Sequence, residues 1–380
     1  SDVAPEGAFI TLKATSLAGN TLEVSLLADS TVRTLQERLS TSLDVFPGQI
    51  RLIPSESLEP VDPSCRVCDL PSTELSYVLC GSGVMQAMTG SREGSLTCLD
   101  LTTGKCWRSF VGHDEPVNCA AVDFRSQRAV TGSDDALLKL WHLGTGECLR
   151  ALHGHSDAIV CVEVDFVLML ALSGSDDDTL RLWNLDTGEV LQVLMVQRMF
   201  VASVCCVAAD FVLGRAASGS ADNSVRLWDL GSGECLHTFT EHSHYVQAVC
   251  ADFHRGRVLS GSSDGTLLLW DAVSGESLQE LEGHTADIGV LAADFAKAKA
   301  ISTSDDGACI LWDLERGHAL LTFSLENRIV GIAADFAETV AAWGLRRDGA
   351  VVRFLLTESE CLPEIIAEVD GTMSCMAVQF

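Results

Sequence analysis

Lysine is scarce in this chain of 380 residues, occurring only at Lys13, Lys105, Lys139, Lys297 and Lys299. Basic residues number 25 against 53 acidic ones, for a net charge of −28. A surface that acidic repels phosphate backbones and anionic lipid, so nucleic acid is not expected as a partner. Long apolar runs are missing too. The most apolar window, residues 159–172, is broken by Glu163 and Asp165. It reads as two strands, and no membrane insertion is expected. No basic segment followed by an apolar stretch opens the sequence, so no secretory signal is read there. Phosphate loops and an unrepeated nucleophile–base set are also lacking, which argues against an enzyme. Cys65-Arg66-Val67-Cys68 is the single CxxC, with no second pair and no histidine nearby. No metal and no cofactor are therefore expected.

Cysteine itself is plentiful, at 15 residues. Cys106, Cys148 and Cys235 recur at one position of a repeat, and Cys119, Cys161, Cys206 and Cys375 at another. Equivalent positions in successive repeats point apart, so the thiols are expected to stay free and to pack as small buried hydrophobes. An odd count without a targeting signal fits a reducing, cytoplasmic location.

The repeat is the main positive signal. Seven copies run through residues 84–380. Aligned on the end of their third strand, they carry Leu99, Trp141, Trp183, Trp228, Trp270, Trp312 and Phe354. Every step is 42 residues except that from Trp183 to Trp228, which is 45. In the second copy Val117–Val122, Arg128–Thr131, Leu137–Trp141 and Cys148–Leu152 read as four short strands between Gly and Asp turns. A period of roughly 40–45 residues resembles the WD-repeat family, whose signature is Gly-His and Trp-Asp in each copy. The resemblance implies an all-β seven-bladed β-propeller over residues 84–380. Val84 enters directly at a second strand, and Met373–Phe380 matches Val117–Phe124. The C-terminal strand is thus expected to complete the first blade and remove the open edges of the ring.

In that family a His, a Ser, an Asp and a Trp of each blade form a buried hydrogen-bond chain. The positions implied here are His113, Ser133, Asp135 and Trp141; His155, Ser175, Asp177 and Trp183; His242, Ser262, Asp264 and Trp270; and His284, Ser304, Asp306 and Trp312. The residue types suit the task. Trp buries a large area but must place its indole N–H, a hydroxyl can accept it, and Asp can orient the His. Ser, His and Asp also compose a hydrolase triad, but a trio repeated four times beside a Trp reads as structural. Three copies depart from the pattern. The first has Ser91, Glu93 and Leu99. The fourth keeps Ser220, Asp222 and Trp228 but has Gln197-Arg198 in place of Gly-His. The seventh has Arg346, Asp348 and Phe354. These blades are expected to be held by packing alone.

Residues 1–80 follow another pattern, joined to the propeller by a linker at 81–83. Phe9–Ala14, Thr21–Leu26, Ile50–Ile53 and Glu74–Leu79 read as strands. Ser30 or Thr31 can cap a helix with Val32, Leu35 and Leu39 on its apolar face. The order and the stretches LAGNT, DSTV, PGQIRLI and LSYVL resemble ubiquitin, implying a small α+β ubiquitin-like (β-grasp) domain. Leu17, Ile53 and Val78 then stand where ubiquitin carries its apolar recognition patch, implying contact with a ubiquitin receptor. The basic residues around that patch are mostly replaced, with Arg51 kept, and no free Gly-Gly end exists for conjugation.

In WD-repeat proteins the narrow face usually carries the contacts. Mapped by position, that face divides by charge here. Blades seven and one would present Arg328, Arg347 and Arg92. Blades two, three and six would present Asp134, Asp176, Asp287 and Asp305, and blade five Tyr245 and Gln247. An arginine cluster suits an acidic or phosphorylated segment of a protein or peptide. Two functions follow. The first is a non-catalytic protein–protein interaction scaffold or adaptor linked to ubiquitin-dependent handling of a client. The alternative is a structural subunit of a large assembly, in which the ubiquitin-like module only packs. Against a ligase substrate receptor, Trp312-Asp313-Leu314-Glu315 has Glu where the signature Arg belongs.

Overall fold

The computed structural model describes residues 9–16, 21–27, 50–54, 74–79, 86–101, 103–196, 203–324, 328–336, 340–356, 361–369 and 372–379. The chain divides into two compact units, Ser1–Met85 and Gln86–Phe380. Among the described residues no helix is long and apolar enough to cross a membrane.

In the first unit β1 (Phe9–Ser16), β2 (Thr21–Leu27), β3 (Ile50–Pro54) and β4 (Glu74–Leu79) form one sheet in the order β2-β1-β4-β3. β1 and β2 form an antiparallel hairpin, while β1 and β4 run parallel. β3 pairs antiparallel with β4, Ile53 opposite Ser76 and Arg51 opposite Val78. Ile53 and Val78 therefore hold diagonal positions on one face. Leu17, the expected helix, the linker and the CxxC lie outside the described residues.

In the second unit the described residues form seven four-stranded antiparallel sheets. Blade two is representative, with β8 (Val117–Asp123), β9 (Arg128–Ser133), β10 (Leu138–His142) and β11 (Glu147–Leu152) in sequential order. Ahead of it β5 (Gln86–Ser91), β6 (Ser95–Asp100) and β7 (Lys105–Val111) make three strands of blade one. The fourth is the last strand of the chain, Met373–Gln379, which pairs antiparallel with β5. First strands adjoin one another from blade to blade around a closed ring, the closing strand lying between those of blades seven and two. This is a seven-bladed propeller.

Burial follows that arrangement. Second and third strands are buried almost throughout, as in β9 and its equivalents Leu170–Ser175 and Arg215–Ser220. Outermost strands are exposed on their free side, as in β11. The apolar clusters bridge neighbouring blades. Val130 and Leu138 of blade two meet Ala171, Trp183 and Leu185 of blade three, and Leu172 and Leu180 of blade three meet Ala216 and Trp228 of blade four. A blade has no core of its own, so the ring is the cooperative unit.

The thiols sort by strand. Cys119, Cys206 and Cys375 on first strands are buried and Cys161 is half-buried, but Cys106, Cys148 and Cys235 are exposed. The expectation of burial fails for this second set because they lie on outermost strands, where no further strand covers them.

Candidate functional site

The hydrogen-bond chain of blades two, three, five and six is built from the third strand. In blade two Trp141 donates its indole Nε1–H to Thr131 Oγ1 at 2.8 Å. Thr131 Oγ1 lies 2.7 Å from His113 Nε2, and His113 Nδ1 lies 2.7 Å from Asp135 Oδ2. A carboxylate can only accept, so Nδ1 carries the proton and the hydroxyl donates to Nε2. Blade three repeats this with Trp183, Ser173, His155 and Asp177, blade five with Trp270, Ser260, His242 and Asp264, and blade six with Trp312, Ser302, His284 and Asp306.

The hydroxyl is thus not the one expected. Ser133, Ser175, Ser262 and Ser304 sit two residues further along. Each donates instead to a backbone carbonyl, of Glu115, Asp157, His244 and Ala286, and accepts the backbone N–H of the following tetrad Asp. Reach decides the matter. Trp141 pairs with Ala129 across the strands, so on its face the next position along is Thr131 and Ser133 is the one beyond. The signal available in the sequence was the constant ten-residue spacing from hydroxyl to Trp, shared by Thr131, Ser173, Ser218, Ser260 and Ser302. Those five hydroxyls are buried, a setting that suits structure.

The Gly before His113, His155 and His284 makes room, whereas Glu241 precedes His242. A Cβ on Gly112 would meet Trp141 Cη2 at 2.4 Å. Burial pushes the pKa of His113, His155, His242 and His284 below the ordinary histidine range, opposed by the Asp partners. Those histidines are neutral at pH 7, as the hydrogen-bond pattern requires.

Packing alone does not hold the three departing blades. In blade four Trp228 donates to Ser218 Oγ at 2.9 Å, and the buried Arg226 takes over the missing His, placing Nη2 2.6 Å from Asp222 Oδ2. In blade one Ser91 Oγ lies 2.7 Å from Ser95 Oγ and accepts the Glu93 and Ser95 backbone N–H groups. In blade seven Arg346 pairs with Asp348 at 2.6 Å.

One end of the ring gathers the expected binding residues. Its geometry rests on a bulge repeated in all seven first strands, after the first residue. In β8 the register passes from Val117↔Ser133 to Cys119↔Gly132, leaving Asn118 without a partner. The same step leaves out Val160, Cys205, Gln247, Gly289, Val330 and Ser374. Bulges re-aim side chains at a sheet edge. Beside each bulge, the residue after the second strand donates its N–H to the segment before the first strand. The donors are Arg92, Asp134, Asp176, Ala221, Ser263, Asp305 and Arg347; the acceptors are the carbonyls of Thr372, Pro116, Ala158, Ser203, Tyr245, Asp287 and Arg328. Seven equivalent contacts thus put these residues at one end of the ring.

Arg92, Arg328 and Arg347, all exposed, converge on one cavity of about 210 Å³, together with Gly289, Met373 and Ser374. Arg328 Nε lies 3.0 Å from Asp305 Oδ1, which draws Asp305 to the rim. Arg346 is turned away onto Asp348. The remaining face residues stand elsewhere around the ring. Asn118 Nδ2 donates to Asp134 Oδ1 at 2.6 Å, and Ser203 donates to Asp176. Gln247 reaches Ser263 Oγ at 3.4 Å, and Tyr245 is 52% exposed. Asp287 is exposed and meets Asp305 through its backbone. Gly289, Met373 and Ser374 were missed as pocket residues. The match of the C-terminal stretch to Val117–Phe124 could have located Ser374 as the counterpart of Asn118.

Among known families, the one described as WD domain, G-beta repeat, matches residues 104–142, 146–184, 196–229, 233–271 and 275–313, half of the chain. No curated protein matches it.

Proposed function

The chain belongs to the WD40-repeat family, and from that premise we propose that it is a non-catalytic scaffold whose partner site is the arginine pocket between blades seven and one. Propellers of this family generally bind proteins or peptides and are typically not enzymes. One observation carries the reading. Three arginines line one cavity in a chain of net charge −28. Arginine forks favour carboxylate and phosphate, so the partner is an acidic or phosphorylated segment. Buried, fully bonded tetrad hydroxyls support the non-catalytic part of the reading.

The test is partner capture from the source cell, comparing wild type with the triple variant Arg92→Glu, Arg328→Glu, Arg347→Glu. Loss of phosphatase-sensitive or acidic partners supports the site. Retention of every partner moves the site elsewhere.

The sheet order β2-β1-β4-β3, with β1 parallel to β4, supports reading the first unit as ubiquitin-like. On that reading the protein is an adaptor in ubiquitin-linked handling of a client, with Leu17, Ile53 and Val78 as its patch. Its competitor is a structural subunit in which this unit only packs. Ile53→Asp separates them. Loss of ubiquitin-pathway partners favours the adaptor, and an unchanged partner set favours the subunit. We place the protein in a reducing compartment such as the cytoplasm, a reading supported by exposed, unpaired thiols on separate blades.

A further inference from the structure

The arginine pocket lies across the seam at which the ring closes. Arg92 follows β5, and Met373 and Ser374 belong to the closing strand, so both come from blade one. Arg328 and Arg347 flank strands of blade seven. Among the described residues one backbone hydrogen bond outside the strand ladders crosses this seam. Met373 N donates to Arg347 O at 3.2 Å, and Arg92 N donates to Thr372 O at 2.9 Å within blade one. Ser374 Oγ donates to the carbonyls of Gly90 and Val117, tying the closing strand to blades one and two but not to blade seven. The side of the closing strand that faces blade seven is thus bordered by like charges.

Charge counting identifies what can settle there. Arg328 is partly committed to Asp305. Among the described residues Arg92 and Arg347 make no ion pair. Two positive charges, one from each side of the seam, are left uncompensated. A carboxylate would neutralise only one of them. A phosphomonoester carries about −1.5 to −2 at pH 7 and offers three acceptor oxygens, enough to engage guanidinium groups approaching from two blades. A cavity of about 210 Å³ holds a tetrahedral group with room for bridging water, each water taking about 30 Å³.

We propose that the pocket is an anion clasp: a phosphomonoester on the partner segment, held by Arg92 and Arg347 with Arg328, ties blade seven to blade one and locks the closing strand. The inference rests on the pocket being the partner site, and adds the chemical class of the ligand and its consequence for the ring. An anion that binds only the closed seam suppresses its opening by the factor 1 + [L]/Kd. At ten times Kd, amides released by that opening exchange about elevenfold more slowly.

The experiment is hydrogen–deuterium exchange of the full chain at constant ionic strength and pH 7.5. The probes are the blocked peptide Ac-Ala-pSer-Ala-NH2, its Glu counterpart, and inorganic phosphate, with binding followed in parallel by calorimetry. With the phosphopeptide, slowing of about tenfold is expected in Met373–Gln379 and its partner Gln86–Ser91. Little change is expected in Val225–Asp229 across the ring, or with the Glu peptide. Arg92→Gln and Arg347→Gln should each abolish the effect, while Arg255→Gln at the other end of the ring should not. Slowing by inorganic phosphate alone supports the anion site, and additional slowing by the peptide shows that the flanking chain contributes. If the phosphopeptide binds in an arginine-dependent way but exchange at the seam is unchanged, the clasp is refuted and the partner-site reading stands. If neither phosphate probe binds, the phosphomonoester assignment fails, and the capture experiment alone decides whether acidic partners use the pocket.

Discussion

The indole of Trp141 donates to Thr131 Oγ1 at 2.8 Å, not to Ser133, although both residues lie on the same face of β9. The two hydroxyls of each tetrad blade, Thr131 and Ser133, Ser173 and Ser175, Ser260 and Ser262, and Ser302 and Ser304, therefore have separate duties. One completes the chain from Trp to His, and the other fastens the turn that carries the Asp. Ser173→Ala is expected to cost about 1–3 kcal/mol and to shift the indole N–H resonance of Trp183. Ser175→Ala should also destabilise, through Asp157 and Asp177, but leave that resonance in place. A two-dimensional nitrogen–proton spectrum of both variants distinguishes them.

Blade four replaces a neutral His with a charged pair. Arg226 and Asp222 are both more than nine-tenths buried at their side chains and 2.6 Å apart. Arg226→Ala breaks the buried ion pair with Asp222, which keeps its hydrogen bonds from Ser224, and should cost about 3–5 kcal/mol. The exposed Arg255, paired with Asp252 on a turn, should lose less than about 1 kcal/mol on the same change. Urea denaturation of the two variants provides the comparison.

Acid should loosen the ring before it protonates most carboxylates. The tetrad histidines have folded pKa values below their unfolded ones, owing first to burial. Their contribution is present above about pH 6.5 and is lost as pH falls below it. Asp135, Asp177, Asp264 and Asp306 are also held low by their hydrogen bonds, Asp264 at about 2. Their contribution is lost at still lower pH, below the ordinary Asp range near 3.8. The melting temperature is expected to fall steadily from pH 7 to 5, and further toward pH 3.

Glu163 runs the other way. It stands in the middle of the first strand of blade three, where the other blades carry Ala121, Ala208, Cys250, Ala292, Ala333 and Ala377. Burial without a compensating partner pushes its carboxyl up to about 7. A carboxyl raised in the fold favours folding most at low pH, and that advantage is lost as pH rises from about 4.5 to 7. Glu163→Gln should therefore stabilise the protein at pH 8 by about 1–3 kcal/mol and do little at pH 4. Equal effects at both pH values would show that Glu163 is solvated.

Closure of the ring can be disturbed by one methyl group. A Cβ on Gly90 would meet Cys375 Sγ and Val117 Cγ1, both at 2.7 Å. Gly90→Ala forces the closing strand and blade two apart and should cost about 1–3 kcal/mol. The loss should come as a lower midpoint of one cooperative transition. A separate early step would mean that blade one melts alone.

The repeat spacing, the strand pattern and the match of Met373–Phe380 to Val117–Phe124 made the propeller legible in the chain. Each is a local regularity, and a period of 42 residues with alternating apolar positions leaves few ways to bury them. The face residues were legible for the same reason, since equivalent positions of a repeat occupy equivalent places in the ring. Their convergence was less so. That Arg328 leans on Asp305 while Arg346 turns to Asp348 depends on side-chain geometry within 4 Å, which no spacing encodes.

The sequence by itself determined the number of blades, the seam and the sign of the charge on each sector, because these follow from periodicity and composition. Only the tertiary structure decided which hydroxyl each Trp meets, how blade four manages without its His, and which arginines share a cavity. Those outcomes depend on cross-strand register, on bulges that re-aim single residues, and on contacts between blades far apart in the chain.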